Sequence, residues 1–296
     1  MAGRTFDHEF IKEAGLTQPG DIRGRLYFMT YLDVLGQKDI LRRAHGPYSE
    51  AAQLQEAITA VEEAVQPIYW LRLAAAELCR QYREAQKTLA GTYAGYTFSE
   101  LKSQSFGDTV IMFAQLHDET SSHHLMMPAV EAGLMSAALL YLQGLAKGFP
   151  LRGGIDVEVG ANLSPGEAYG HALCAGNHLE SRIADSLRVV VGPGLLGVID
   201  SALALPNTGD YIMERALAKE ASRLVSRDAA DRAFILDYLG EKVKKDASVL
   251  RLPFDEEARA AHSFLVAQQE RWARLGELTR ARKYSTALDY FRSRGF

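Results

Sequence analysis

Two acids in this chain stand where a carboxylate can do chemistry. Asp33 closes the apolar, aromatic and β-branched run "YFMTYLD" (27–33), and "VLGQK" follows it at once. Asp108 is the acid of "SFGDTV" (105–110). A buried strand has little reason to carry an unpaired acid, because burying a lone charge is costly. If the two strand ends are neighbours, their carboxylates repel, and a raised pKa or a bound cation relieves the repulsion. Hard cations such as Mg²⁺ accept one or two carboxylates plus substrate phosphates. Two metals so held can activate an attacking oxygen and stabilise a leaving one. Taken singly, each acid has a plainer reading: an Asp after a strand is usually a turn former or helix cap, and Gly-Asp is a common hairpin turn. Their pairing points to metal chemistry.

The elements that must position these acids are legible from the pattern. Residues 25–35 predict a central strand. Leu54, Ile58, Val61 and Val65 recur at helical spacing and predict one buried helix face. Pro67 kinks that helix or starts a second one running to about residue 90. "TFSELKSQSFGDTVIMFAQL" reads as two short strands around Gly107-Asp108, with the acid at the hairpin tip. Residues 124–147 are helical, with Leu134, Ala138, Tyr141 and Leu145 on one stripe. "FPLRGGIDVEVG" sets Ile155, Val157 and Val159 against Asp156 and Glu158, a half-buried strand. "SPGEAYGHALCAGNHLESRIADS" opens with a cap and a proline and predicts a helix. "LRVVVGPGLLGVID" supplies a further strand or two.

The order β-α-β-β-α-β-α-β is the split βαβ, ferredoxin-like or palm-type arrangement: an α+β fold with an antiparallel sheet backed by helices. Past residue 200 the chain reads as helix, ending in one helix over about 255–285. The expected division is an N-terminal arm (1–23), a catalytic domain (24–200) and a helical C-terminal extension packed on it (201–296).

Composition narrows the function. The 296 residues are 47% hydrophobic and carry a net charge of -4, so nothing suggests a basic nucleic-acid surface. Two cysteines, Cys79 and Cys174, cannot build a disulfide framework and suit a reducing compartment. The N-terminus has no apolar signal region. The stretch "MMPAVEAGLMSAALLYL" is interrupted by Pro128, Glu131 and Gly133, so no membrane span is expected. A cytoplasmic protein is expected.

At this point four motifs in order, "YLDVLGQ", "SFGDTVIMF", "LRGGIDVEVG" and "GEAYGHALCAGNHLESRIADSLRVVV", resemble the core of class III nucleotidyl cyclases across residues 25–192. The likeness is nearer to a divergent bacterial branch, the pyrimidine (uridylate or cytidylate) cyclases of Pycsar anti-phage defence, whose C-terminal end "KYSTALDYFR" also resembles. The resemblance implies that Asp33 and Asp108 hold Mn²⁺ or Mg²⁺ in a two-metal site, assisted by the carbonyl of Val34. It implies that Leu35 and Gly36 form the tight turn whose backbone N–H groups meet a triphosphate. The ribose 3′-OH would attack the α-phosphate and expel pyrophosphate, giving a 3′,5′-cyclic nucleotide. It also implies a homodimer with interfacial sites and a downstream effector that binds the product.

The departures from the family fall on base and transition-state positions. Gln104 stands where adenylyl cyclases carry a base-reading lysine, with Lys102 two residues before it, and Glu167 stands at the partner position. Cys174 and His178 replace the Asn and Arg of the usual transition-state pair, with Asn177 close by. Purine specificity is therefore unsupported, and His178 is a candidate for the transition-state role; the resemblance implies a pyrimidine triphosphate, with UTP taken ahead of CTP. Lys38, Arg42, Arg152, Arg182 and Arg188 are candidate triphosphate cations, each also readable as a surface or structural charge.

Other groupings are weaker. His123 and His124 are adjacent and cannot share a helix face; with His117 and Asp118 they make an alternative metal grouping. "GPGLLG" lacks the dinucleotide-binding order. Cys79 reads as a core thiol. The cluster Arg271, Arg274, Arg280, Arg282 and Lys283 reads as a solvated face. Two alternative functions are a diguanylate cyclase or oligonucleotide synthase on the same sheet, and a non-catalytic nucleotide sensor.

Overall fold

Ten residues rich in aromatic and β-branched side chains, Arg25–Val34, form strand β1, the strand that carries Asp33. The computed structural model describes residue 12 and residues 15–18, 21–46, 48–92, 96–116, 124–164, 166–209 and 211–296. After β1 come a short helix α1 (Gln37–Leu41) and a long helix α2 (Ala51–Thr92). Four strands follow: β2 (Thr97–Phe98), β3 (Lys102–Phe106), β4 (Thr109–Gln115) and β5 (His124–Leu125). Helix α3 (Met127–Ala146) leads to β6 (Leu151–Ser164), β7 (Glu167–Gly170), α4 (His171–His178), a π turn at Leu179–Ile183, and β8 (Val189–Val191). The chain ends through α5 (Pro193–Leu203), α6 (Tyr211–Ser222), β9 (Val225–Arg227), β10 (Phe234–Leu236), α7 (Glu241–Val249), α8 (Phe254–Arg274) and α9 (Leu278–Ser293).

The main sheet runs β3-β4-β1-β6-β8-β10-β9, with β7 paired to β6. It is mainly antiparallel; β6 and β8 pair in parallel. β1 lies at the centre, antiparallel to both β4 and β6. The alternation of β1 splits the core. Phe28, Leu32 and Val34 pack with Leu71, Ala75 and Cys79 of α2 and with α3 on one face. Tyr27 and Met29 pack with Ile111, Phe113, Ala168 and Ala172 on the other, where α4 lies. Asp33, an odd position, belongs to the α4 face.

Several expectations change. The stripe Leu54, Ile58, Val61, Val65 does not face the core: these side chains are 42–49% exposed, while Ala57, Ala60 and Ala64 are buried. The small alanines let α2 approach its neighbours closely and leave the larger apolar residues outside. α2 continues through Pro67 as one helix. The start of the helix expected after "SPG" is instead the strand β7. Beyond residue 200 the chain is not wholly helical, because β9 and β10 form a hairpin that extends the sheet through β8. The single terminal helix is two, α8 and α9, separated at Gly276, where φ is 74°. α3 is long and apolar enough to cross a membrane by length and composition, but it is a core helix, buried along most of its length. "GPGLLG" opens α5: Leu195 N–H donates to the buried Asp156 carboxylate at 2.9 Å, and a Cβ on Gly192 or Gly194 would collide with that carboxylate. Most of the N-terminal arm, and His117, Asp118 and His123, lie outside the described residues. His124 hydrogen-bonds Thr97 at 3.0 Å and Ser99 at 2.9 Å.

Candidate active site

Strand register brings the two acids together. Asp33 pairs across the ladder with Thr109, the residue that follows Asp108. The Thr109 hydroxyl donates to Asp33 Oδ1 at 3.1 Å. The hairpin carrying Asp108 is held from behind, since Arg72 of α2 donates to the carbonyl of Gly107 at 2.7 Å. Burial pushes the Asp33 carboxyl above its ordinary range, and the charge of Asp108 pushes it further; Arg152 and the Thr109 hydroxyl pull the other way. The repulsion expected from two acids at neighbouring strand ends is therefore present.

A third carboxylate completes the cluster. On its other side Asp33 pairs with Arg152 of β6, whose guanidinium comes within 3.6 Å of Asp33 Oδ2 and contacts Glu180 through Nε. Glu180 sits in the π turn after α4 and is 3% exposed. Burial raises its pKa to about 7, with Arg152 opposing and Asp33 and Asp108 adding to the rise. Glycine makes this approach possible. A Cβ on Gly154 would stand 2.5 Å from the Gly176 carbonyl and 2.5 Å from Leu179 Cβ, so only glycine lets the end of α4 settle on β6. Sequence spacing gives no hint of Glu180, because a π turn and a cross-strand arginine bring it to Asp33.

Asn177 also joins the site. Its Nδ2 donates to the Tyr31 hydroxyl at 2.9 Å, and the Thr109 hydroxyl lies 3.4 Å from the same oxygen. Cys174 and His178 are exposed on α4. His178 makes no hydrogen bond or ion pair with the described residues, so the helix presents Asn177, not His178, to the network around Asp33.

The remaining sequence candidates are placed as follows. Val34 buries its side chain and can offer only backbone. Leu35 donates its N–H to the Pro150 carbonyl at 2.8 Å, so it has no free N–H for a phosphate. Gly36 takes a left-handed φ of 89° and opens α1. Lys38 is exposed there. Gln104 spends its amide on β7: Nε2 donates to the Ala168 carbonyl at 3.1 Å, and Oε1 accepts from the Ala168 N–H at 2.8 Å. That bidentate clamp joins β3 to β7 and leaves base reading at Gln104 without its main hydrogen-bonding groups. Glu167 is not brought to Asp33; it accepts from Ser164 at 3.0 Å, at the end of β6 opposite Arg152. Arg188 is structural, buried against Asp228 and Asp231. Arg42 pairs with Asp39 at the surface, and Arg182 is exposed.

Among the described residues, no group of three or more His, Cys, Asp or Glu side chains is arranged to hold a metal. The donor set is the pair Asp33 and Asp108, whose mutual repulsion a cation would relieve. One or two carboxylates completed by substrate oxygens is the usual protein share of a Mg²⁺ site. The residues fit such an ion.

No protein-family model matches the chain, and no curated protein is similar to it. Among solved structures, a bacterial light-regulated adenylyl cyclase has 11% identity and a TM-score of 0.37, over 64% of this chain and 49% of the other. The chain thus spans about half the length of that neighbour, and a likeness of this size says nothing about activity.

Proposed function

We propose that this chain is a metal-dependent nucleotidyl cyclase acting on a pyrimidine nucleoside triphosphate, UTP before CTP, with 3′,5′-cyclic UMP and pyrophosphate as products. The observation that carries the reading is the Asp33–Asp108 pair, held at neighbouring strand ends with the Asp33 pKa raised by burial first and further by its partner's charge. Asp33, Asp108 and the Val34 carbonyl would hold Mn²⁺ or Mg²⁺. When bound, the metal supplies charge for the phosphates and acidity for the 3′-hydroxyl. Gly36 gives the polyphosphate a turn without a side chain. Arg152, anchored to Glu180, keeps outer N–H groups for a phosphate oxygen. In the reaction the bond from the 3′-oxygen to the α-phosphorus forms. The bond from the α-phosphorus to the bridging oxygen breaks, and pyrophosphate leaves with that electron pair. The hydroxyl proton passes to the carboxylate cluster.

The sequence resemblance extends the proposal to a homodimer, a cytoplasmic setting, and an anti-phage second messenger read by a separate effector. The exposed stripe of α2, Leu54, Ile58, Val61 and Val65, supports a second copy as partner, since apolar residues at alternating spacings of four and three suit a helix–helix seam. The test is incubation with Mn²⁺ and each of UTP, CTP, ATP and GTP, followed by mass spectrometry. Cyclic UMP is the expected product. A dinucleotide would move the chain to the synthases, and no product from folded dimer would sink the reading.

A further inference from the structure

Tyr31 stands two residues before Asp33 on β1, so the two side chains share the face that α4 covers. The tyrosine is held in place from above. A Cβ on Gly176 of α4 would stand 3.1 Å from Tyr31 Cβ, so the helix backbone lies directly on this residue. Its ring packs against the buried cluster that contains Met29 and Ile111. Its hydroxyl does not share that burial: Tyr31 is half-buried, Asn177 is exposed, and the hydrogen bond between them lies at the surface.

The protons around this hydroxyl can be assigned. The Asn177 amide nitrogen only donates, so the phenol oxygen accepts from it at 2.9 Å. Thr109 has a single hydroxyl proton and two acceptors near it, Asp33 Oδ1 at 3.1 Å and the Tyr31 oxygen at 3.4 Å. The carboxylate is the nearer and the stronger acceptor, and it takes that proton. The phenol proton is left with Thr109 Oγ1 at 3.4 Å, beyond the roughly 2.5–3.0 Å of a good O–H···O bond. No other acceptor among the described residues bonds it. A donor with its acceptor side filled and its proton weakly engaged thus stands two hydrogen bonds from Asp33.

We infer that Tyr31 donates a hydrogen bond to an oxygen of the phosphate that a metal at Asp33 and Asp108 holds, with Asn177 aiming the hydroxyl. A phosphate oxygen is a charged acceptor of the kind this donor lacks, and substrate phosphates complete the coordination of a cation held by one or two carboxylates. The inference rests on the metal and phosphate part of the cyclase reading, not on the base or the product.

The experiment is calorimetric titration of the full chain with the preformed Mn²⁺ complex of inorganic tripolyphosphate, which reads binding without turnover. The parent binds the complex. Tyr31→Phe keeps the ring, removes the hydroxyl and weakens that binding at least about tenfold, the worth of one charge-assisted hydrogen bond, while Mn²⁺ alone binds as it does to the parent. Asn177→Ala weakens the binding in the same direction and adds nothing to Tyr31→Phe, because it acts through the hydroxyl. Asn177 is exposed, so Asn177→Ala serves alone if Tyr31→Phe does not fold. A parent that binds the complex, loses it in Tyr31→Phe and makes no cyclic nucleotide keeps the contact and loses the cyclase reading. A parent that makes cyclic UMP while Tyr31→Phe binds like the parent keeps the reading and loses the contact. The inference is also overturned if the parent does not bind the complex, if Tyr31→Phe weakens Mn²⁺ alone equally, or if Asn177→Ala keeps its full effect in the Tyr31→Phe background.

Discussion

Asp33 and Arg152 face each other across the β1–β6 ladder, and the guanidinium that comes within 3.6 Å of Asp33 also contacts Glu180. Arg152 therefore ties the end of the central strand to the end of α4. Asp33, Asp108 and Glu180 together outnumber this one guanidinium, which leaves an excess of negative charge that a proton or a metal ion offsets.

Removing one acid separates these two ways of offsetting the charge. Asp108→Asn relieves repulsion on Asp33 and raises the melting temperature in EDTA by about 2 °C, the shift that roughly 1 kcal/mol gives a chain of this size. The same substitution weakens Mn²⁺ binding at least tenfold, read by electron paramagnetic resonance of the free ion. A variant that binds Mn²⁺ like the parent would mean that Asp108 is only a turn residue.

Stability depends on pH in a definite direction. Glu180 titrates near 7 in the fold against an ordinary 4.5, so between these values the folded state holds more protons than the unfolded one. Its stabilising contribution is full below about 4.5 and is lost as pH rises through 7. Asp33, also raised, acts in the same sense. Melting temperature in EDTA should fall between pH 4.5 and 8, and Glu180→Gln should flatten that fall. Protons compete with metal for carboxylates, so Mn²⁺ should stabilise the protein more at pH 8 than at pH 5.

The seat of α4 on β6 can be tested with one methyl group. Gly154→Ala puts a Cβ 2.5 Å from the Gly176 carbonyl, where backbone must move. Overpacking of this kind costs about 1–3 kcal/mol, and it lifts Glu180 away from Arg152. Urea unfolding should show the loss, and cyclase activity should fall more than the lost stability explains. A variant as stable and active as the parent would mean that the close approach is not needed.

Pairing through α2 is testable without disturbing the core. Ile58 and Val65 are 42% and 49% exposed, so glutamate at both positions leaves the monomer folded. Light scattering on a sizing column should report a dimer for the parent and a monomer for Ile58→Glu/Val65→Glu, with unchanged circular dichroism. A dimeric variant would place the seam elsewhere.

Local chemistry made part of this molecule legible in its sequence. Gly107-Asp108 between apolar runs announces a hairpin, and the run ending at Asp33 announces a strand, so both acids could be placed on neighbouring tips. What depends on tertiary packing was not legible. The spacing of Leu54, Ile58, Val61 and Val65 marks a helix face, yet alanines about a quarter-turn round the helix allow the closer approach and the larger residues stay outside. Three-residue strands such as β9 and β10 are too short to interrupt a helical pattern. Glu180 reaches the site only because Gly154 lacks a side chain, and Gln104 turns from base reading to clamping Ala168, a backbone contact that no residue type announces.

The central claim is that Asp33 and Asp108 act together to hold the catalytic metal. Its most direct measurement is the rate of 3′,5′-cyclic UMP formation from UTP and Mn²⁺ by the parent, Asp33→Asn and Asp108→Asn, with circular dichroism confirming that all three are folded. Each variant should lose at least about a hundredfold in rate, the equivalent of roughly 3 kcal/mol of transition-state stabilisation. Parent-like turnover in either folded variant, or none in the parent with any of the four triphosphates, would contradict it.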